Sequence, residues 1–111
     1  MKIFEKDENG FYTCTLDKSA APYHSGPHTF YKLDGLIPLD DPLMRALSYV
    51  DDESHWLAIW DSKIGGRSFV LQPDDTIKIK IRKISAPAVY GHVANARDIS
   101  VKDNLIQVLN K

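Results

Sequence analysis

Apolar and polar residues alternate along much of this chain, which is the pattern of half-buried β-strands. The clearest alternation covers residues 76–84, where isoleucine fills every second position and lysine or arginine fills most positions between. One face of this segment is therefore solvated, which favours an antiparallel sheet. The alternation breaks at Lys83 and Ile84, and this predicts a β-bulge or the end of the strand.

Residues 56–60 predict a strand of a different kind, because all five residues are apolar. A strand that is apolar on both faces is typical of the centre of a sheet that is covered on both sides. Both tryptophans of the chain, Trp56 and Trp60, point to the same face of this strand.

Turn residues divide the rest of the chain into short strands. Asn9 and Gly10 predict a β-hairpin near the N-terminus, which leads into a strand over residues 11–16. Further strands are predicted over residues 28–33 and 68–72. Residues 19–27 are predicted to form a loop, because they contain two prolines and a glycine.

Two segments carry helix signals. Asp41 and Pro42 resemble an N-cap and a first helical residue, and four apolar residues follow at helical spacing in residues 43–50. Ser100 and Asp103 resemble a capping box. This pattern favours a helix over residues 105–109, with a last strand there as the alternative.

These elements predict a mainly β (α+β) fold: an antiparallel sheet or β-sandwich with one or two short helices. The chain has 111 residues, of which 43% are hydrophobic, so a single folded domain over residues 1–111 is expected. The single cysteine, Cys14, excludes an internal disulfide and lies on an apolar strand face. No signal peptide or membrane span is recognisable, so a cytoplasmic protein is predicted.

Charge is distributed unevenly, although the net charge is only −1. Residues 1–62 contain five Lys/Arg and eleven Asp/Glu residues, and residues 63–111 contain nine Lys/Arg and four Asp/Glu residues. The two halves therefore carry −6 and +5. Such asymmetry indicates either a charged partner or two faces that neutralise each other within the fold.

The acidic stretch, residues 40–61, is the candidate binding site. Its carboxylates lie close in sequence to aromatic residues, a mixture that suits docking of a basic protein. The alternative is a solvated helix and turn that pairs with the chain's own lysines. The residues predicted to contact a partner are Asp40, Asp41, Tyr49, Asp51, Asp52, Glu53, His55 and Asp61.

Two other functions stay open. The basic row, defined as Lys78, Lys80, Arg82 and Lys83, is compatible with a nucleic-acid-binding module. No aromatic residues interleave with this row to stack on bases.

Four histidines, His24, His28, His55 and His92, are compatible with a small acid–base enzyme. No catalytic motif supports this alternative, so no catalytic residue, metal ligand or cofactor is predicted.

The overall run of the chain, including Tyr23-His24-Ser25-Gly26-Pro27-His28 and Trp56-Leu57-Ala58-Ile59-Trp60, resembles the small immunity proteins of bacterial contact-dependent growth-inhibition (CDI) systems. This resemblance implies a cytoplasmic, non-enzymatic protein that binds one cognate toxin domain and neutralises it. The toxin is often a nuclease. A basic ribonuclease with an RNase-A-like fold is one such toxin, and the binding protein is then a ribonuclease inhibitor.

Overall fold

The regular secondary structure of the described residues consists entirely of β-strands. The computed structural model describes residues 2–38, 55–60, 70–83, 97–101 and 104–109. Within these ranges the strands are β1 (Tyr12–Thr15), β2 (Tyr23–Ser25), β3 (His28–Lys32), β4 (His55–Trp60), β5 (Thr76–Lys80), β6 (Arg97–Ser100) and β7 (Leu105–Val108). They form a three-stranded sheet in the order β1-β5-β7 and a four-stranded sheet in the order β2-β3-β4-β6. All pairs are antiparallel except the parallel pair β4–β6.

The two sheets share one hydrophobic core. Ile77 and Ile79 of β5 have no exposed surface, and they belong to the same buried cluster as Leu57 and Ile59 of β4. The alternating isoleucines of β5 therefore face the four-stranded sheet, while its lysines lie on the opposite, outer face. The predicted mainly β fold of the antiparallel-sheet or sandwich type is confirmed.

Strand β4 is buried on both of its faces, as its sequence predicts. Leu57 and Ile59 contact the core between the sheets, whereas Trp56 and Ala58 belong to a second cluster with Phe30. β3 and β6 flank β4 on its two edges. A strand with neighbours on both edges and apolar contacts on both faces has no solvated side, which explains its continuous apolar run.

The N-terminal turn forms where Asn9 and Gly10 predict it. Gly10 has a φ of 90°. The carboxylate of Asp7 accepts the N–H groups of Asn9 and Phe11 at 2.8 and 2.9 Å. The hydrogen bond from the Phe11 N–H is the main cause that holds the pKa of Asp7 below its ordinary value.

The first arm of this predicted hairpin pairs only briefly with the second. Lys6 forms a single antiparallel bridge with Tyr12. Ile3 instead forms a parallel bridge with Leu36, and Phe4 donates its N–H to the Leu36 carbonyl at 2.9 Å. This contact directs Phe4 into the core, where it is buried.

The predicted loop over residues 19–27 is wrong in its second half, because β2 lies there and forms a hairpin with β3. Gly26 takes a φ of 58° at the turn. Pro22 and Pro27 lie just outside the paired positions of β2 and β3, where a missing N–H breaks no ladder bond. The rings of Tyr23 and Phe30 meet across the pair at 6.2 Å.

Four further expectations need correction or lie outside the described residues. The favoured helix over residues 105–109 is wrong, because β7 pairs there with β5. Residues 70–72 of the predicted strand over 68–72 are not in a strand. The strand predicted over residues 76–84 ends at Lys80. The predicted helix of residues 41–50 lies outside the described residues.

Asn104 fixes the chain where β5 ends, and this contact overrides the local helix signal. Its Oδ1 accepts the N–H groups of both Arg82 and Lys83. Its Nδ2 donates to the carbonyls of Lys83 and Ser100, at 2.6 and 2.9 Å. A single buried amide thus joins the end of β5 to the turn between β6 and β7.

We expect Asn104→Ala to lower the free energy of unfolding by about 2–4 kcal/mol, because it leaves several partly buried backbone groups without their partner. Asn104→Asp keeps the acceptor but sets a carboxylate oxygen against the carbonyls of Lys83 and Ser100, so at neutral pH its loss should be at least as large. Urea denaturation of the three proteins measures this order. Equal stability of all three would contradict the role assigned to Asn104.

Cys14 should be chemically inert while the chain is folded. Its side chain has no exposed surface, and burial, aided by the nearby Asp34 carboxylate, raises the pKa of the thiol from 9.0 to about 12. We expect no reaction with a thiol reagent at pH 8 until the protein unfolds. Thr13→Cys, exposed on the same strand, is the control and should react at once.

The same shift has a consequence for stability at high pH. The unfolded thiol loses its proton near pH 9 while the folded thiol keeps it, so stability falls as pH rises from 9 towards 12. The limiting slope from this group is about 1.4 kcal/mol per pH unit. Denaturation curves of Cys14→Ala, measured across this range, should lack that component. A Cys14→Ala variant with the same slope as the unmodified chain would contradict it.

Candidate partner-binding surface

The acidic stretch lies almost entirely outside the part of the chain that the structure describes. This applies to Asp40, Asp41, Tyr49, Asp51, Asp52, Glu53 and Asp61. Their prediction as partner contacts therefore stays a prediction. His55 is the one predicted contact residue whose surroundings are known.

His55 lies in the interior rather than on a surface. It is the first residue of β4 and only 1% of it is exposed. Its Nδ1 accepts the N–H of Ile37 at 3.1 Å, which requires an unprotonated Nδ1. This position does not agree with a contact role, and we assign His55 to the packing of the sandwich instead.

The histidines of the described ranges do not meet. His24 and His28 flank the β2–β3 turn, and His24 Nδ1 lies 3.0 Å from Thr29 Oγ1. His28 pairs with Trp60, five positions along β4 from His55, which corresponds to roughly 16 Å of strand. His92 lies outside the described residues. Among the residues that are described, no three His, Cys, Asp or Glu side chains group closely enough to hold a metal ion.

The basic row is partly engaged by contacts within the chain. Lys78 Nζ lies 3.3 Å from an Asp7 carboxylate oxygen, and Lys80 Nζ lies 5.8 Å from the centre of the Phe11 ring. Both lysines belong to β5, the middle strand of its sheet, so they do not protect an edge. Arg82 and Lys83 follow the strand and are exposed.

A cleft that was not predicted opens beside the loop of residues 17–22. Its first part is an apolar pocket of about 280 Å³. Tyr31 and Leu71 form its buried wall, and the Tyr31 hydroxyl accepts the Leu71 N–H at 3.4 Å. Ala21 and Pro22 form its exposed rim.

The second part of the cleft is a polar groove of about 570 Å³. It shares Leu16, Asp17, Lys18, Ser19 and Pro73 with the apolar pocket, so the two parts are continuous. Four aspartates and two lysines line the groove, which gives the lining a charge of −2; these residues are Asp17, Asp34, Asp74, Asp75, Lys2 and Lys18.

Local hydrogen bonds hold these carboxylates in place. Asp17 accepts hydrogen bonds from the hydroxyl of Ser19 at 2.6 Å and from the N–H of Ser19 at 2.9 Å. The bond from the hydroxyl is the main cause that lowers the pKa of Asp17. Asp75 accepts the Gln72 N–H at 2.8 Å. Asp17 and Asp75 are thus oriented by hydrogen bonds within their own turns.

The backbone between the two sheets brings Asp17 and Asp34 to the same groove. Leu16 and Leu33 form an antiparallel bridge, and the Asp34 N–H donates to the Thr15 carbonyl at 3.1 Å. Asp34 also accepts the Thr15 hydroxyl at 2.6 Å, and Lys2 lies 3.4 Å from its carboxylate. The residues of this groove are far apart in sequence, so the sequence alone gives no signal that they lie together.

Comparison with known proteins finds no family model, no curated protein and no solved structure that matches this chain. Within the described ranges, no helix is long and apolar enough to cross a membrane.

Proposed function

We propose that this chain is a binding protein for a basic protein partner. More specifically, we propose that it is a cytoplasmic immunity protein that neutralises a cognate toxin domain, and that this toxin is a basic nuclease. Two observations support the assignment as an immunity protein: the resemblance to immunity proteins of contact-dependent growth-inhibition systems, and the charge of the acidic stretch. The cleft supports the binding role.

The observation that carries the proposal is the junction of an acidic groove with an apolar pocket. A lysine or arginine side chain fits the groove, whose lining has a net charge of −2, or −1 when Lys32 of the adjoining pocket is counted. An aromatic or aliphatic side chain fits the neighbouring pocket of about 280 Å³. Anchors of these two kinds, placed side by side, are typical of the centre of protein–protein interfaces.

A carboxylate surface also explains how such a protein would inhibit a nuclease. The phosphate-binding cleft of a nuclease is positively charged, and carboxylates that enter it take the place of substrate phosphates. Opposite potentials accelerate the encounter and fix its orientation. Inhibition then needs no chemistry from the inhibitor.

The partner can be isolated with the tagged chain from its native host at low salt, and the product of the neighbouring gene should be tested directly. We expect a basic protein to be retained at a one-to-one ratio, and its nuclease activity to fall in the complex. Retention of RNA alone would support the nucleic-acid-binding alternative instead.

Neutralising the acidic stretch should weaken this complex. We expect Asp51→Asn with Asp52→Asn to cost about 2 kcal/mol or more of binding free energy if these residues are interface hot spots. The matched control is Glu5→Gln with Glu8→Gln, which removes the same charge from exposed residues outside the stretch. Calorimetric titration measures both variants, and equal affinities would contradict docking through the acidic stretch.

Filling the apolar pocket tests the cleft separately. Ala21→Trp places a large ring on the pocket rim, and we expect at least tenfold weaker binding because the partner's apolar side chain is then excluded. Thr13→Trp, on the exposed face of the other sheet, is the control. Unchanged affinity of the Ala21→Trp variant would show that the partner does not use the pocket.

A further inference from the structure

Strand β7 lies at one edge of the three-stranded sheet, and among the described residues this edge lacks the usual protection. Exposed edges are normally blunted by charge, proline or shortness. β2 has only three residues, β6 begins with Arg97 and Asp98, and β1 is bridged at both of its ends. β7 has none of these features: residues 104–109 contain no charged residue and no proline.

The direction of the β7 backbone groups follows from one hydrogen bond. Leu109 donates its N–H to the Thr76 carbonyl at 2.7 Å, so the N–H and C=O groups of Leu109, Gln107 and Leu105 point towards β5. Those of Ile106 and Val108 point away from it. Within the described residues, no strand lies on that side of β7.

The side chains of this edge are unusually apolar for an exposed position. Leu105 is 44% exposed and Leu109 is 45% exposed. Gln107 lies between them on the same outer face and is also exposed. On the inner face, Ile106 and Val108 pack against the core.

We propose that β7 pairs with β7 of a second copy of this chain, antiparallel and about a twofold axis at Gln107. Ile106 then lies opposite Val108 of the second copy, and the two pairs exchange four backbone hydrogen bonds. Leu105 lies opposite Leu109, so the exposed leucines cover each other. The two three-stranded sheets become one sheet of six strands.

A second copy fits this edge because the sequence of β7 is symmetric in character about Gln107. Leu105 pairs with Leu109 and Ile106 pairs with Val108, so side chains of like kind lie opposite each other and no two like charges are paired. Five residues of strand bury less area than the roughly 1,600 Å² of a standard interface. We therefore expect a weak dimer, with a dissociation constant on the order of 10–100 μM.

Sedimentation velocity between about 10 μM and about 1 mM should show a reversible monomer–dimer equilibrium. Gln107→Glu places two carboxylates opposite each other at the axis, and it should raise the dissociation constant about fivefold at low salt. Within one chain, Lys78 lies beside position 107, so the new carboxylate does not harm the monomer.

Thr13→Glu is the matched control. Thr13 of β1 pairs with Lys78 on the side opposite Gln107. Both variants therefore add one negative charge beside Lys78, but only Gln107→Glu places it on β7. The control should dimerise like the unmodified chain. Equal weakening by both variants, or a chain that stays monomeric at every concentration, would overturn the proposal.

A cross-link tests the register. Opposed residues of a non-hydrogen-bonded pair have Cα atoms about 4.5 Å apart, which suits a disulfide. Gln107→Cys should therefore oxidise to a covalent dimer, whereas Thr13→Cys should not, and the buried Cys14 does not compete. A Gln107→Cys variant that remains a reduced monomer under these conditions would also overturn the proposal.

Discussion

The burial of β4 on both faces is the constraint on which the described structure depends. Leu57 and Ile59 share one buried cluster with Ile77 and Ile79 of the other sheet, while Trp56 and Ala58 pack with Phe30 on the opposite face. Full burial of one such side chain contributes about 1.5–3 kcal/mol, so this strand contributes more than its length suggests. Its polar backbone groups are satisfied by β3 and β6, and like β3 it supplies side chains to both clusters.

The candidate cleft follows from the way in which the two sheets join. The Leu16–Leu33 bridge brings the end of β1 beside the end of β3. Asp17 and Asp34 leave the strands at this corner, and the turn that contains Asp75 closes the groove from β5. The apolar pocket forms beside it because the loop after β1 passes over Tyr31 and Leu71. Charge and apolar surface therefore meet at a position that the backbone fixes, and no flexible side chain has to create it.

Period-two patterns predicted the interior of the fold well, because they report which face of a strand is buried. β5 was predicted in this way, whereas β4 was predicted from its continuous apolar run, and β3 and the turn at Gly10 were predicted from turn residues. The errors occur where a distant contact decides the outcome. A helix signal precedes residues 105–108, but these residues form backbone hydrogen bonds with β5 instead. Asn104 holds the start of β7 beside the end of β5. The candidate cleft was missed for the same reason: Asp17 and Asp75 resemble ordinary turn residues until the fold brings their turns together.

The asymmetry of charge now has a partial structural explanation. Among the described residues, the ion pairs Lys2–Asp34 and Lys32–Asp17 join groups within the acidic half, and Lys78–Asp7 joins the two halves. Pairs of this exposure contribute little to stability, so they do not account for the segregation of charge. Carboxylates held by turn hydrogen bonds beside an apolar pocket form an oriented field, which is what the proposed docking of a basic partner requires.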